Sequence, residues 1–442
     1  MSVSEATAAA TTDATTDATT EDGEATFRRE VDEQLPRNYA VHLVHGLLGQ
    51  TGFRIINTPT FLPAYVFEVT GATWLVGVAR ACQALGQSLT PIVGATLIEH
   101  RRKVLPVTFG VGMMMRLQVL GLALAGFFLG REANTIAICL LLGLFGFFTG
   151  MQSVTFSFLV SKVIPVERRG KLVGFRNFLA GLTASALGFI GGLMIDANTL
   201  GNGYASVFLV SFALTALGLL SMVFMREPES PTVRERLPLL ERLSELPELF
   251  RSDKAYAGYF LARALGATGR ASAPFCIVYA QTRGELQGEQ IGLLTAAFLI
   301  ASMTGNLAWG LIADKGGFRR VLLIALAIWA GCLGMLQATD SFASLIIVFM
   351  GLGLGFGGFQ ISTMNLVLEF GDRDDLPMRI AMANTGEQLV SVAAPLLGGL
   401  IIEAVSYEAL FWFTMGLQAA AIAVTWLGVQ EPRQRRLASP TR

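Results

Sequence analysis

Leu48-Gly-Gln-Thr-Gly52, followed by Arg54, Pro59 and Tyr65, returns far along the chain as Leu265-Gly-Ala-Thr-Gly269, followed by Arg270, Pro274 and Tyr279. Both copies sit inside long apolar stretches. A membrane protein built from two alike halves suggests a binding site on the seam between them, opening alternately to each side. The echo continues in order along both halves. Glu99-His-Arg-Arg-Lys103 answers to Asp314-Lys-Gly-Gly-Phe-Arg-Arg320, and Gly150-Met-Gln152 to Gly358-Phe-Gln360. Asn177, then Gly191-Gly192-Leu193 and Asp196, answers to Asn384, then Gly398-Gly399-Leu400 and Glu403. Gly-rich helices produce one such match by chance, not several in one order.

The composition agrees. Hydrophobic residues make up 52% of the chain and charged residues 15%, with a mean hydropathy of +0.54, far from an average soluble domain. Cys82, Cys139, Cys276 and Cys332 all lie in apolar stretches, which argues against a disulfide framework. His42, His45 and His100 form no cluster with metal-site spacing, and there is no nucleophile elbow or nucleotide loop. No enzyme chemistry, cofactor, metal or nucleic-acid partner is expected.

A helix needs about 20 mostly apolar residues to cross the hydrocarbon core. Twelve stretches qualify, at 39–67, 73–98, 104–129, 133–160, 171–195, 204–225, 255–281, 289–312, 319–338, 342–369, 377–402 and 408–428. The fold class is therefore an all-α membrane protein of twelve transmembrane helices in two pseudo-symmetric six-helix halves. The expected organisation is a polar, disordered tail over 1–36, halves at 37–225 and 255–430, a linker at 226–254 and a tail at 431–442. Leucines recur at helical spacing in the linker, which makes it either an amphipathic surface helix or a plain tether. Connections on the side of the termini hold 25 of the 33 Lys and Arg residues, and those on the other side only Arg131 and Arg283. The positive-inside rule then puts both termini in the cytoplasm, with the chain multi-pass in the inner membrane.

The other six basic residues lie within spans: Arg54, Arg80, Arg116, Arg176, Arg263 and Arg270. A charge there is expensive and usually faces a cavity or a partner. Arg54 and Arg270 fall near mid-membrane at nearly equivalent places, where two guanidinium groups can hold an anion or serve as a structural pair. Arg176 and Arg263 start closer to the cytoplasm and Arg80 closer to the outer side, within snorkelling reach of an interface. Arg116 is expected to make a structural hydrogen bond. Glu387 is the one clearly deep acid. A carboxyl there can carry a coupling proton, or else pair with an arginine. Asn57, Gln152, Gln360, Asn384 and Gln388 supply uncharged groups for a polar solute or for tying helices together.

The run Gly310-Leu-Ile-Ala-Asp314-Lys315-Gly316-Gly317-Phe-Arg319-Arg320 resembles the cytoplasmic loop signature of the major facilitator superfamily, of which the Glu99–Arg102 segment is a degraded first copy. The resemblance, with twelve spans and two halves, covers nearly the whole chain. It implies a monomeric secondary transporter working by alternating access. Helices 1 and 7 would line its cavity, and Glu99, Arg102, Asp314, Gly317, Arg319 and Arg320 would form cytoplasmic gating loops that latch the inward-closed state. The helix 5 motif of the family's drug exporters lacks its proline here, at Gly188-Phe-Ile-Gly191-Gly192, and span 4 holds no arginine. The expected function is thus transport of a small polar, anionic solute in the lipid bilayer, coupled to a proton through Glu387. Efflux of amphipathic compounds by proton antiport is the alternative.

Overall fold

A computed structural model describes the backbone of residues 3–98, 100–229, 253–339, 341–370 and 376–429. Glu99, most of the linker and the 431–442 tail lie outside these residues. The described chain is helical throughout, with no strand among the described residues. In the first half the helices are α1 (Val3–Asn57), α2 (Phe61–Thr70), α3 (Thr73–Leu89), α4 (Pro91–Ile98), α5 (Leu105–Phe128), α6 (Arg131–Val163), α7 (Val166–Asp196) and α8 (Gly203–Ser221). In the second they are α9 (Lys254–Arg283), α10 (Gly288–Gly316), α11 (Phe318–Ala338), α12 (Phe342–Leu366), α13 (Leu376–Ala404) and α14 (Tyr407–Gly428).

Nine helices among the described residues are long and apolar enough to cross a bilayer unaided. The first two expected spans are each broken in two. α1 stops at Asn57 ahead of Pro59, and α3 stops at Leu89 ahead of Pro91. Proline lacks the N–H that would continue the ladder and disfavours helical backbone in the residue before it. Span 7 is the unbroken α9, interrupted in polarity by Arg263 and Arg270. In the 1–36 segment α1 runs from Val3.

The two halves repeat each other in packing as in sequence. α1 packs on α7 and α8 as α9 packs on α13 and α14, and α3 packs on α6 as α10 packs on α12. Tyr65 lies against Tyr204 and Phe208 with ring centroids at 5.5 and 5.1 Å. Tyr279 lies against Tyr407 and Phe411 at 5.4 and 5.2 Å. The echoed tyrosines thus anchor equivalent aromatic clusters.

The halves meet chiefly along α7–α10 and α3–α13. On the side away from the termini these seams close tightly. A Cβ on Gly192 would fall 2.3 Å from the Gly288 carbonyl oxygen, so only glycine permits this approach. Asp196, ending α7, accepts from the backbone N–H groups of Gly288 (2.5 Å) and Glu289 (2.6 Å), at the positive N-terminal end of α10. The hydroxyls of Thr60 and Thr295 meet at 2.6 Å, and those of Thr73 and Tyr407 at 2.5 Å. Asp196→Ala is expected to loosen this closure. Charge-assisted bonds contribute about 1.5–3 kcal/mol each. Labelling of a Thr60→Cys reporter by an impermeant maleimide should then rise by at least about tenfold, the low-end value for one such bond. An unchanged rate would remove Asp196 from the closure.

Candidate substrate site

Between the halves lies a cavity of about 980 Å³ whose lining runs on toward the terminal side through Gln87, Gly174 and Asn365. Among the described residues its charged lining is Arg54, Arg80, Arg270 and Glu387. Of the residues expected at a site, Arg54, Asn57, Arg270, Gln360, Glu387 and Gln388 all face it. Gln152 and Asn384 do not line it.

Glu387 is not an isolated carboxyl. Arg263 donates to its Oε2 through Nε (2.9 Å) and Nη2 (2.7 Å), and Arg270 donates to its Oε1 from the cavity side. Arg263 also donates to Asn384 Oδ1 (2.8 Å) and Tyr259 Oη (3.2 Å). Arg263 therefore does not snorkel to the interface: its side chain is 6% exposed, against 33% for Arg270. Two turns of α9 separate the arginines, and one turn of α13 separates Asn384 from Glu387, so each pair shares a face. That spacing is the signal that could have linked them beforehand. Arg270 also lies over the Phe356 ring at 5.0 Å, a cation–π contact that holds its head in the cavity.

Arg80 likewise turns inward rather than to the outer interface. It donates to Thr58 O (2.7 Å) and Gln83 Oε1 (3.0 Å), and Gln83 Nε2 donates to Asn57 Oδ1 (2.9 Å). The break in span 1 frees the Thr58 carbonyl, and Arg80 satisfies it. Arg80, Gln83 and Gln87 recur at helical spacing along α3, a polar stripe legible in the sequence. Among the described residues Arg54 makes only a long contact, Nη2 to Asn177 O at 3.5 Å. Arg116 is buried and donates to Thr215 O and Gly112 O, the structural role expected of it. Arg176 lies over Phe156 at 5.6 Å.

At the gating loops Asp314 is exposed and makes no ion pair among the described residues. Arg319 donates to Thr425 O (3.2 Å) and Trp426 O (2.6 Å), tying the loop to the end of α14. The Arg320 side chain folds back along Gly316. Gly317 has φ +77°, where a side chain is strained by about 1–3 kcal/mol. Gly317→Ala is accordingly expected to lower the unfolding temperature by a few degrees, and an unchanged melt would show that the turn relaxes freely. In the first copy Glu99 lies outside the described residues. The buried acid that reaches the end of this loop is Glu227, which the sequence did not single out, while exposed Glu229 pairs with Lys103 at 3.2 Å. Glu227 accepts from the Val104 and Leu105 N–H groups (2.7 and 2.8 Å) and from buried Lys162 (2.8 Å). Lys162 also donates to Arg102 O at 2.5 Å.

Two alike six-span halves around a polar cavity open on one side define a multi-pass membrane carrier. The chain belongs to the Major Facilitator Superfamily, whose model matches residues 47–284 and 257–442. It is 27% identical over 362 residues to a multi-drug resistance efflux pump PmrA homolog of Lactococcus lactis, covering 79% of this chain and 84% of that one. It is 24% identical over 425 residues to the multidrug resistance protein MdtG of Salmonella typhimurium, covering 91% and 98%. Among solved structures it resembles the nucleoside transporter NupG (TM-score 0.70, 12% identity, 88% of this chain and 100% of that one). It also resembles a D-xylose-proton symporter (TM-score 0.69, 16% identity, 89% and 98%). These likenesses are to the fold. The chain is a transporter, not an enzyme.

Proposed function

We propose that the chain is a secondary active transporter of an organic anion that also carries an apolar part, held by Arg54, Arg80 and Arg270. The observation that carries this reading is the charge of the cavity: among the described residues three guanidinium groups face it with one carboxylate, and Arg263 already engages that carboxylate. Phe53, Phe178, Phe298 and Trp329 on the same walls supply apolar contact. Asn57, Gln360 and Gln388 add neutral hydrogen-bonding groups. Glu387 then serves as a resident counter-ion on Arg270, which the incoming anion displaces. By the basic-residue asymmetry the termini are cytoplasmic, so the cavity faces inward here, and the Asp314 loop engages when that side closes. The chain acts as a monomer in the bilayer.

Efflux of amphipathic compounds is the second reading, favoured by the aromatic walls and by the names of the efflux relatives. Thermal stabilisation of the purified protein separates the two. Aromatic carboxylates and sulfonates should raise the melting temperature of wild type but not of Arg54→Gln. Stabilisation by lipophilic cations alone, kept in the variant, would replace the anion reading with the second.

A further inference from the structure

His42 and His45 lie one turn apart on α1, 0% and 8% exposed. None of their four ring nitrogens has a hydrogen-bond partner among the described residues. Both rings pack on Phe156, at centroid distances of 5.6 and 5.0 Å, and the Arg176 guanidinium covers the same ring at 5.6 Å. On the other side a Cβ at Gly49 would lie 3.5 Å from both His45 Nε2 and an Arg116 terminal nitrogen. The charged neighbours of the pair are thus Arg116 from α5 and Arg176 from α7. Among the described residues α6 and α8 bring it no carboxylate. A buried polar atom without a partner costs about 1–3 kcal/mol, and this pair carries four. Such a site needs an account.

We propose that His42 and His45 form the transporter's proton-binding site, loaded when an anion occupies the cavity beside Arg54. The proposal rests on the anion reading above. Imidazole is the side chain whose charge changes most readily near neutral pH. Two neighbouring guanidinium charges repel a third positive charge. Arg54 reaches the carbonyl of Asn177, the residue after Arg176 on α7, so an anion bound there offsets that repulsion. Binding of the anion and of the proton then reinforce each other, each raising the other's affinity by the same factor. A ring nitrogen lone pair takes the proton from water as the anion binds and gives it back to water as the anion leaves, so one proton accompanies one negative charge. Glu387 gives up Arg270 to the anion but keeps both bonds from Arg263 throughout.

The test uses full-length protein labelled with nitrogen-15 at its 3 histidines, with exposed His100 as the aqueous reference and His42→Gln and His45→Gln as assignments. The probe is 2-naphthalenesulfonate, an aromatic anion that is permanently ionised and so brings no proton of its own. At neutral pH, saturating probe should convert a His42 or His45 signal from the neutral to the imidazolium form. Arg176→Gln should produce the same conversion with no anion present. Both signals staying neutral in Arg176→Gln and in probe-saturated wild type overturns the proposal. A probe that fails to stabilise wild type counts against the anion reading alone. The Arg176→Gln spectrum then decides the proton site by itself.

Discussion

Glu387→Gln is expected to give a strongly destabilised protein. The substitution keeps the shape of the side chain but leaves Arg263, 6% exposed, with a guanidinium charge that nothing balances. Breaking a buried ion pair from one side costs about 3–5 kcal/mol. The pair ties α9 to α13, so the loss falls on the core of the second half. The double variant Arg263→Gln/Glu387→Gln removes both charges and should regain most of the lost stability, because an uncharged pair has no desolvation penalty to offset. Thermal unfolding read with a thiol-reactive dye on buried Cys276 measures all three proteins. A double variant no more stable than Glu387→Gln would show that the two residues do not act as a pair.

Arg54→Gln and Arg270→Gln should do the reverse, leaving stability largely intact and removing transport. Arg270 is 33% exposed to the cavity with its guanidinium over Phe356, while Arg54 has one long contact among the described residues. Neither holds a buried partner that would be orphaned, since Glu387 retains Arg263. A charge-assisted hydrogen bond to a bound anion contributes about 1.5–3 kcal/mol, which corresponds to roughly a 10- to 100-fold loss of flux. Lysine should restore little, because it cannot form the planar two-pronged contact of a guanidinium. Flux of an aromatic sulfonate into proteoliposomes is the measurement. Wild-type flux in both glutamine variants would withdraw the clamp.

The bilayer explains why so much of the architecture was legible beforehand. Hydrocarbon admits only long apolar helices with their backbone bonds satisfied internally, so twelve crossings and two halves can be counted along the chain. The echo anchored by Tyr65 and Tyr279 survives because both halves pack by one plan. Less was legible within the site. Arg54 and Arg270 occupy nearly equivalent positions in the sequence, yet of the two only Arg270 reaches Glu387. Arg80 and Arg263 read as residues bound for the interface, yet one satisfies a freed carbonyl and the other holds the deep acid. The i, i+3 and i, i+7 spacings were present, but a repeat shows which residues correspond and not which way a helix is turned.

The sequence by itself determined the apolar spans, their duplication and the sidedness of their charge, because these follow from local hydropathy and from the thickness of a membrane. Only the tertiary structure decided which arginines face the cavity, which acid is engaged, and which side is closed. Those outcomes depend on the break at Thr58–Thr60, on the rotation of α3 and α9, and on the glycine contact between α7 and α10. Each arises from contacts between residues far apart in the chain.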